Sequence, residues 1–238
     1  TSLIMNCPFC PDKIESFILY KSAHKKDEKY VKDVKCMSEI HSKPTLYKCK
    51  KCNLIFSEYI NINTEEAYIT VEDDRYIQQI PYKKKNFELL FSKILPFLKN
   101  NHEVLEIGSY YGILGDIIKP HVKNYTGLEL SKHAADYSRS NFNLNIVNET
   151  LDTFLNKNNS FDVVIMCDVI EHLDNPFSII KKIEKNLKPN GIFIFSTMNM
   201  DSFLPKIMRG KYHWIMPQHK FYFSNSSLKY FLKKNNMD

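Results

Sequence analysis

The chain has 238 residues, 43% of them apolar, with a formal charge of +6. This fits one ordinary domain plus a small extra module, and the apolar share excludes a wholly disordered chain. No run of 18 apolar residues occurs, and the opening TSLIMNCPFC lacks the basic start and long apolar stretch of a signal peptide, so neither a membrane span nor a leader is expected.

Residues 1–60 contain short strand-like pieces at 15–20, 45–47 and 54–59, set around two cysteine knuckles. Cys7-Pro-Phe-Cys10 and Cys49-Lys-Lys-Cys52 each offer two sulfurs, and 38 residues separate the pairs. Two such pairs complete a tetrahedral shell for Zn²⁺, and a closed shell points to a structural metal in a zinc-ribbon-like module. Cys36 and His41 lie in the intervening stretch, where either could replace a knuckle sulfur. Six cysteines in this length do not make a disulfide scaffold, and metal-binding pairs fit a reducing, cytoplasmic compartment. The charge carries little weight as a sign of nucleic acid. Residues 1–60 hold 11 Lys against 7 Asp or Glu, giving +4, and one Zn²⁺ on four thiolates there adds a net −2. The lysines are also scattered among Asn, Ile and Asp, not gathered into a basic block.

Residues 61–100 read as a helical connecting segment. Phe87, Leu90, Phe91, Ile94 and Leu98 recur at helical spacing and predict a helix over 86–98, bent or ended early by Pro96. From 101 to 238 the pattern becomes strands alternating with helices. The expected strands are 104–107, 125–130, 144–147, 161–167 and 191–197. The expected helices are 113–118, 132–141, 152–155, 176–187 and 226–234. Such alternation predicts an α/β domain with a mostly parallel, Rossmann-like sheet and helices on both faces. Right-handed crossovers place every strand-to-helix loop on one edge, where ligands bind. The chain stops just after a helix that should lead into another strand, so C-terminal strands are expected to be missing from it.

The first strand runs into Glu106-Ile-Gly108-Ser109-Tyr110-Tyr-Gly112, a glycine turn opening a helix. Its spacing misses the dinucleotide fingerprint Gly-x-Gly-x-x-Gly, and an acid before the turn repels pyrophosphate while attracting an ammonium or sulfonium. Glu129, 23 residues after Glu106, ends the next strand, where an acid can accept hydrogen bonds from ribose hydroxyls. These residues resemble the class I S-adenosylmethionine-dependent methyltransferases, whose loop reads acid-x-Gly-x-Gly-x-Gly. Glu106, Gly108 and Gly112 match it, and Tyr110 replaces the middle glycine. The resemblance continues through Phe161-Asp-Val-Val-Ile-Met-Cys-Asp-Val-Ile-Glu-His-Leu173 and Leu187-Lys-Pro-Asn-Gly-Ile-Phe-Ile-Phe195, covering roughly residues 85–235.

The resemblance implies S-adenosylmethionine as cofactor. Glu106 and the turn from Gly108 through Ser109 and Tyr110 to Gly112 would hold its methionine part, and Glu129 with Leu130 its ribose. Thr150, Leu151, Cys167 and Asp168 would flank the adenine or the sulfonium side. Zinc-binding N-terminal domains precede this fold in families that modify deoxysugar nucleotides, which implies a small polar acceptor, with Tyr76 and Tyr82 as candidate cover. A hydroxyl or carbon-acid acceptor calls for a base, and histidine suits that task near neutral pH. His172, after the fourth strand, and His219, in the aromatic stretch after the fifth, stand where one is needed. Asp168 and Glu171 could instead bind a divalent cation. Two other readings remain: an RNA methyltransferase gripping its substrate with the zinc module, and a non-catalytic binding protein with a degenerate loop. Against the first, the fourth strand ends in Cys-Asp-Val-Ile-Glu-His, not an Asn-Pro-Pro-Tyr type of motif, and no clustered basic and aromatic surface is visible.

Overall fold

The computed structural model describes residues 5–10, 14–23, 29, 33–35, 43–157, 160–235 and 237. Cys36 and His41 lie outside the described residues. Two sheets organise the chain. The first strands, β1 (Ser16–Tyr20), β2 (Leu46–Cys49) and β3 (Ile55–Ser57), form an antiparallel ladder. Three short or medium helices follow, α1 (Glu65–Ile69), α2 (Asp74–Gln78) and α3 (Ile80–Ile94), and a 3₁₀ turn spans Leu95–Phe97. Pro96 ends α3 as expected, but the helix begins at Ile80, well before 86. Pro81 presets its first turn, and the exposed run Lys83-Lys84-Lys85 interrupts the apolar periodicity that would have revealed it.

The second sheet is built from β4 (Glu103–Ile107), β5 (Asn124–Leu128), β6 (Ile146–Val147), β7 (Phe161–Cys167) and β8 (Leu187–Ser196). Their order is β6-β5-β4-β7-β8, and every neighbouring pair is parallel. Helices α4 (Ile113–Ile118), α5 (Lys132–Phe142), α6 (Leu151–Leu155) and α7 (Pro176–Asn186) connect the strands. The centre of β7 is sealed on both faces, with Val163, Val164, Ile165 and Met166 at 0% exposure. That is why it reads as an unbroken apolar run. α7 begins with Asn175 capping Ser178 N–H at 3.1 Å and buries Ile179, Ile180 and Ile183 on one face.

Beyond β8 come α8 (Phe203–Met208), β9 (Phe221–Tyr222) and α9 (Asn225–Lys234). β9 pairs antiparallel with β3, giving the small sheet the order β1-β2-β3-β9. The apolar core is continuous across the two sheets: Cys7, Phe9, Cys49 and Phe56 belong to the same buried cluster as Leu105, Met166, Ile180, Phe221 and Phe231.

Candidate functional site

The parallel register brings the carboxyl ends of β4, β5 and β7 to one edge, and the candidate residues gather there. After β4 the chain turns through Gly108 at φ +73° and Gly112 at φ +76°. A Cβ on Gly108 would stand 2.5 Å from Val169 Cγ2, and one on Gly112 2.8 Å from Leu144 Cδ1 and Ser138 Oγ. Both positions therefore need glycine for space as well as for the left-handed backbone. Tyr110 also adopts a left-handed backbone, with φ +45°.

That unfavourable backbone at Tyr110 is held from several sides. Its N–H donates to Glu129 Oε2 at 2.7 Å, and its hydroxyl donates to Asp73 Oδ2 at 3.1 Å. Its ring meets Tyr76 edge-on at 4.7 Å and Tyr111 at 4.5 Å. Asp73 N–H in turn donates to the Tyr111 hydroxyl at 2.8 Å, and Ser131 Oγ to the Val71 carbonyl at 2.8 Å. The segment from Val71 to Tyr76 thus closes over the glycine loop. Tyr76 is buried in that cover, whereas Tyr82 stands 81% exposed and takes no part in it.

Glu129 sits just past the end of β5, which stops at Leu128 and not at 130 as the sequence pattern suggested. Its carboxylate accepts from Tyr110 N–H and, at 2.8 Å, from Ser131 N–H, which turns the chain out of the ladder. Asn148 Nδ2 donates to the carbonyls of Glu129 and Leu130 at 2.8 and 2.9 Å, fixing that turn from β6. Burial raises the Glu129 carboxyl above the usual carboxylate range, against the pull of its backbone donors. Glu106 is 4% exposed, and burial pushes it up to about 8 although the Tyr125 hydroxyl donates to it. Ser109 is buried behind the turn. Thr150 caps α6 by accepting from Thr153 N–H at 3.2 Å, and with Leu151 stands half-buried after β6, at the sheet margin. Cys167 ends β7, its thiol pushed up to about 12 by burial and then by the Glu106 charge. Asp168 follows at φ +52°, its N–H donating to the Ser196 carbonyl at 3.0 Å and its carboxylate accepting from Ser196 Oγ at 3.2 Å.

A second cluster lies past β7, where the chain makes a 3₁₀ turn through Ile170–His172. His172 and His219 meet edge to face with ring centroids 4.6 Å apart. His172 Nδ1 lies 3.2 Å from the Gln218 carbonyl and 2.8 Å from the Tyr68 hydroxyl, and His219 Nδ1 lies 2.9 Å from the Trp214 carbonyl. A carbonyl can only accept, so His219 Nδ1 carries the proton and its Nε2 keeps its lone pair, and the Gln218 carbonyl favours the same tautomer at His172. Burial holds His172 down to about 4, and it lowers His219 well below its ordinary value, helped by the neighbouring His172. Glu171, 1% exposed, accepts from Thr197 Oγ1 at 3.1 Å and is pushed up to about 8 by burial. One ligand atom from each of Glu171, His172 and His219 falls within 4.8 Å of the others, a set of donor types suited to a divalent cation. Asp168, expected to join Glu171 in such a site, is instead tied to Ser196. Lys220 completes the cluster. Fully buried, its amine donates to the Ile62 carbonyl at 2.7 Å and to Asp174, while its own N–H donates to the Glu171 carbonyl at 2.8 Å.

The four cysteines converge where β2 ends at Cys49. Their sulfurs lie within 4.8 Å of one another, with Cys7–Cys52 at 3.6 Å and Cys10–Cys49 at 3.8 Å. A tetrahedral zinc with sulfurs about 2.3 Å away sets its ligands about 3.8 Å apart, and a disulfide would need about 2.05 Å. Lys51 and Cys52 N–H groups point at Cys49 Sγ from 3.3 and 3.5 Å. The residues fit the metal.

Tyr68, Asp73, Tyr125, Gln218 and Lys220 are functional neighbours that sequence reasoning missed. Their partners lie far away in the chain, as with Tyr68 and His172 at a separation of 104 residues, so no local pattern marks them. The stacked glycine-loop tyrosines were the one available hint.

Comparison with known proteins agrees with this geometry. Residues 79–238 match the family model described as a methyltransferase domain, and the chain belongs to that family. It is similar to the ubiquinone biosynthesis O-methyltransferase of Actinobacillus pleuropneumoniae, 29% identical over 107 residues, covering 41% of this chain and 46% of that one. The protein of the same name from Coxiella burnetii is 27% identical over 107 residues, covering 43% and 45%. The chain therefore spans less than half the length of these curated relatives. In fold it is similar to S-adenosylmethionine-dependent methyltransferases from Archaeoglobus fulgidus, with TM-score 0.57, 19% identity and coverage of 68% and 74%, and from Thermotoga maritima, with TM-score 0.53, 21% identity and coverage of 68% and 77%.

Proposed function

We propose that this protein transfers a methyl group from S-adenosylmethionine to a hydroxyl of a small polar metabolite, sugars and sugar nucleotides being the acceptors of first choice. One observation carries the reading. A left-handed loop after β4, tied to Glu129, shares a sheet edge with two histidines whose Nε2 atoms are free to accept a proton. When bound, S-adenosylmethionine supplies a methyl carbon activated by positive sulfur. Gly108 to Gly112 and Glu106 would hold its methionine part, Glu129 and Leu130 its ribose, and Thr150, Leu151, Cys167 and Asp168 the remaining sides. His219 or His172 would take the acceptor's proton at Nε2, leaving the hydroxyl oxygen free to accept the methyl group. Burial keeps both rings neutral and so able to accept a proton, while it lowers their basicity. Holding the acceptor in line is the larger contribution, worth on the order of 10⁵ M or more in effective molarity.

The relatives named for O-methylation favour an oxygen acceptor over a carbon one. Residues 1–60 serve as a zinc-binding module with Cys7, Cys10, Cys49 and Cys52 as ligands, 61–100 as a connecting cover, and 101–238 as the catalytic domain. We place the protein in the cytoplasm on its free cysteines. No helix of the described residues is long and apolar enough to cross a membrane.

A second reading has its own observation: the convergence of Glu171, His172 and His219 makes them candidate ligands of a divalent cation that would orient the acceptor oxygen. Two experiments test these readings. Calorimetry with S-adenosylmethionine, followed by label transfer to a panel of hydroxyl-bearing metabolites, should detect binding and turnover, and absence of binding removes the first reading. Elemental analysis after dialysis against manganese should find one metal per chain if only the cysteines bind, and two if the second reading holds.

A further inference from the structure

The four-cysteine knuckles pack against the elements that carry the histidines. Phe9, between the first two cysteines, packs against Phe177, Phe221, Phe231 and Phe223 at 4.7, 5.0, 5.4 and 6.0 Å. Its carbonyl accepts from Lys234 Nζ at 2.9 Å. On the second knuckle, Cys49 N–H donates to the Leu54 carbonyl at 2.9 Å, fixing where β3 begins. β3 then pairs with β9, Ile55 opposite Tyr222 and Phe56 opposite Phe221, and Ser57 N–H donates to the Lys220 carbonyl at 3.0 Å. Lys220 N–H passes the constraint to the Glu171 carbonyl. His219 is the next residue back. The glycine loop and Glu129 are covered instead by Val71 to Tyr76, which do not belong to the module.

We infer that the cysteine module is a positioning element for the acceptor half of the site: metal on the four sulfurs fixes β3, β3 sets the register of β9, and β9 places His219 and Lys220. Two residues of strand are too few to hold their own register, so β9 depends on what it is docked to. Loss of metal should therefore loosen the histidine side while sparing cofactor binding. The inference rests on the zinc reading of the cysteines. It does not require that either histidine be the base.

Hydrogen exchange on the zinc-loaded chain, before and after a strong chelator, provides the test. Amides at 54–57 and at 219–223 should exchange at least about tenfold faster together once the metal is removed. Those at 104–107 and 163–167 should stay protected, and the affinity for S-adenosylhomocysteine should hold within about threefold. Continued protection at 219–223 while the knuckles open would overturn the inference. So would equal loss at 104–107, which would make the module a general stabiliser. Elemental analysis of the starting protein reports separately on whether zinc is the metal.

Discussion

Tyr68 reaches across 104 residues of chain to put its hydroxyl 2.8 Å from Nδ1 of His172. The same nitrogen faces the Gln218 carbonyl at 3.2 Å, so two oxygens hold the ring from its Nδ1 side. Tyr68 lies on α1, in the connecting segment, and makes that segment part of the support of the histidine pair as well as of the glycine loop.

Removing this hydroxyl should leave the carbonyl contact but loosen the ring. Tyr68→Phe is expected to lower kcat by roughly tenfold, the lower end of what such supporting contacts contribute, with KM for S-adenosylmethionine unchanged. A rise in that KM with kcat intact would place Tyr68 on the cofactor side instead.

Glu106 gives a pH-dependent expectation. Burial raises its carboxyl to about 8, against 4.5 for an unperturbed group, so the folded, ligand-free protein keeps it mostly protonated at neutral pH. A raised folded-state value stabilises the fold fully below about 4.5, and that contribution is lost as pH climbs through 8. A cationic ligand beside Glu106 favours the ionised form, so binding should release a proton and affinity should rise between pH 6 and 8. Calorimetry in buffers of different ionisation enthalpy measures the proton directly. Glu106→Gln should abolish both the release and the pH dependence; if the slope survives that substitution, another group is responsible.

Tyr110 combines a cost and a gain in one residue. Its left-handed backbone costs about 1–2 kcal/mol relative to glycine, while its two edge-to-face ring contacts return about 0.5–1.5 kcal/mol each. Tyr110→Gly also loses the hydrogen bond to Asp73, worth about 1 kcal/mol, so it should destabilise the protein by about 0–3 kcal/mol and weaken the closure of Asp73 and Tyr76 over the loop. Tyr110→Phe, which keeps the ring and loses only the donation to Asp73, should cost about 1 kcal/mol. Denaturant midpoints decide both, and a large stabilisation by glycine would mean the stacking contributes nothing.

The parallel sheet was legible because β7 and β4 are largely buried and show as apolar runs, and because Gly108 and Gly112 mark a turn that only glycine fits. Strand ends were read less well where a side chain pulls the backbone away, as Glu129 does at the end of β5. β6 is two ladder residues long because Leu144, expected to begin it, packs against α4 and α5 instead of pairing. β9 was invisible: Phe221 and Tyr222 look like part of an aromatic loop, and their partners in β3 are too distant in sequence for any periodicity to reveal. The histidines could be singled out by type and place. That both are held with Nδ1 against carbonyls depended on Trp214 and Gln218, whose role lies in backbone oxygen that residue identity does not encode.

The two histidines are separable by substitution. His219 is 5% exposed and held by a single carbonyl, so its replacement leaves one accepting oxygen and a small cavity. His172 is tied to both Tyr68 and Gln218, and its replacement disturbs two elements. If His219 takes the proton, His219→Ala should lower kcat by about 10²–10⁴-fold with cofactor affinity preserved. His219→Gln, which keeps a polar side chain of similar reach but no basic nitrogen, should do no better. If both histidines act as ligands, His172→Ala and His219→Ala should each abolish the second metal in elemental analysis, and added manganese should partly restore the rate. Wild-type rates from both variants would remove the pair from the chemistry and leave positioning of the acceptor as the whole of catalysis.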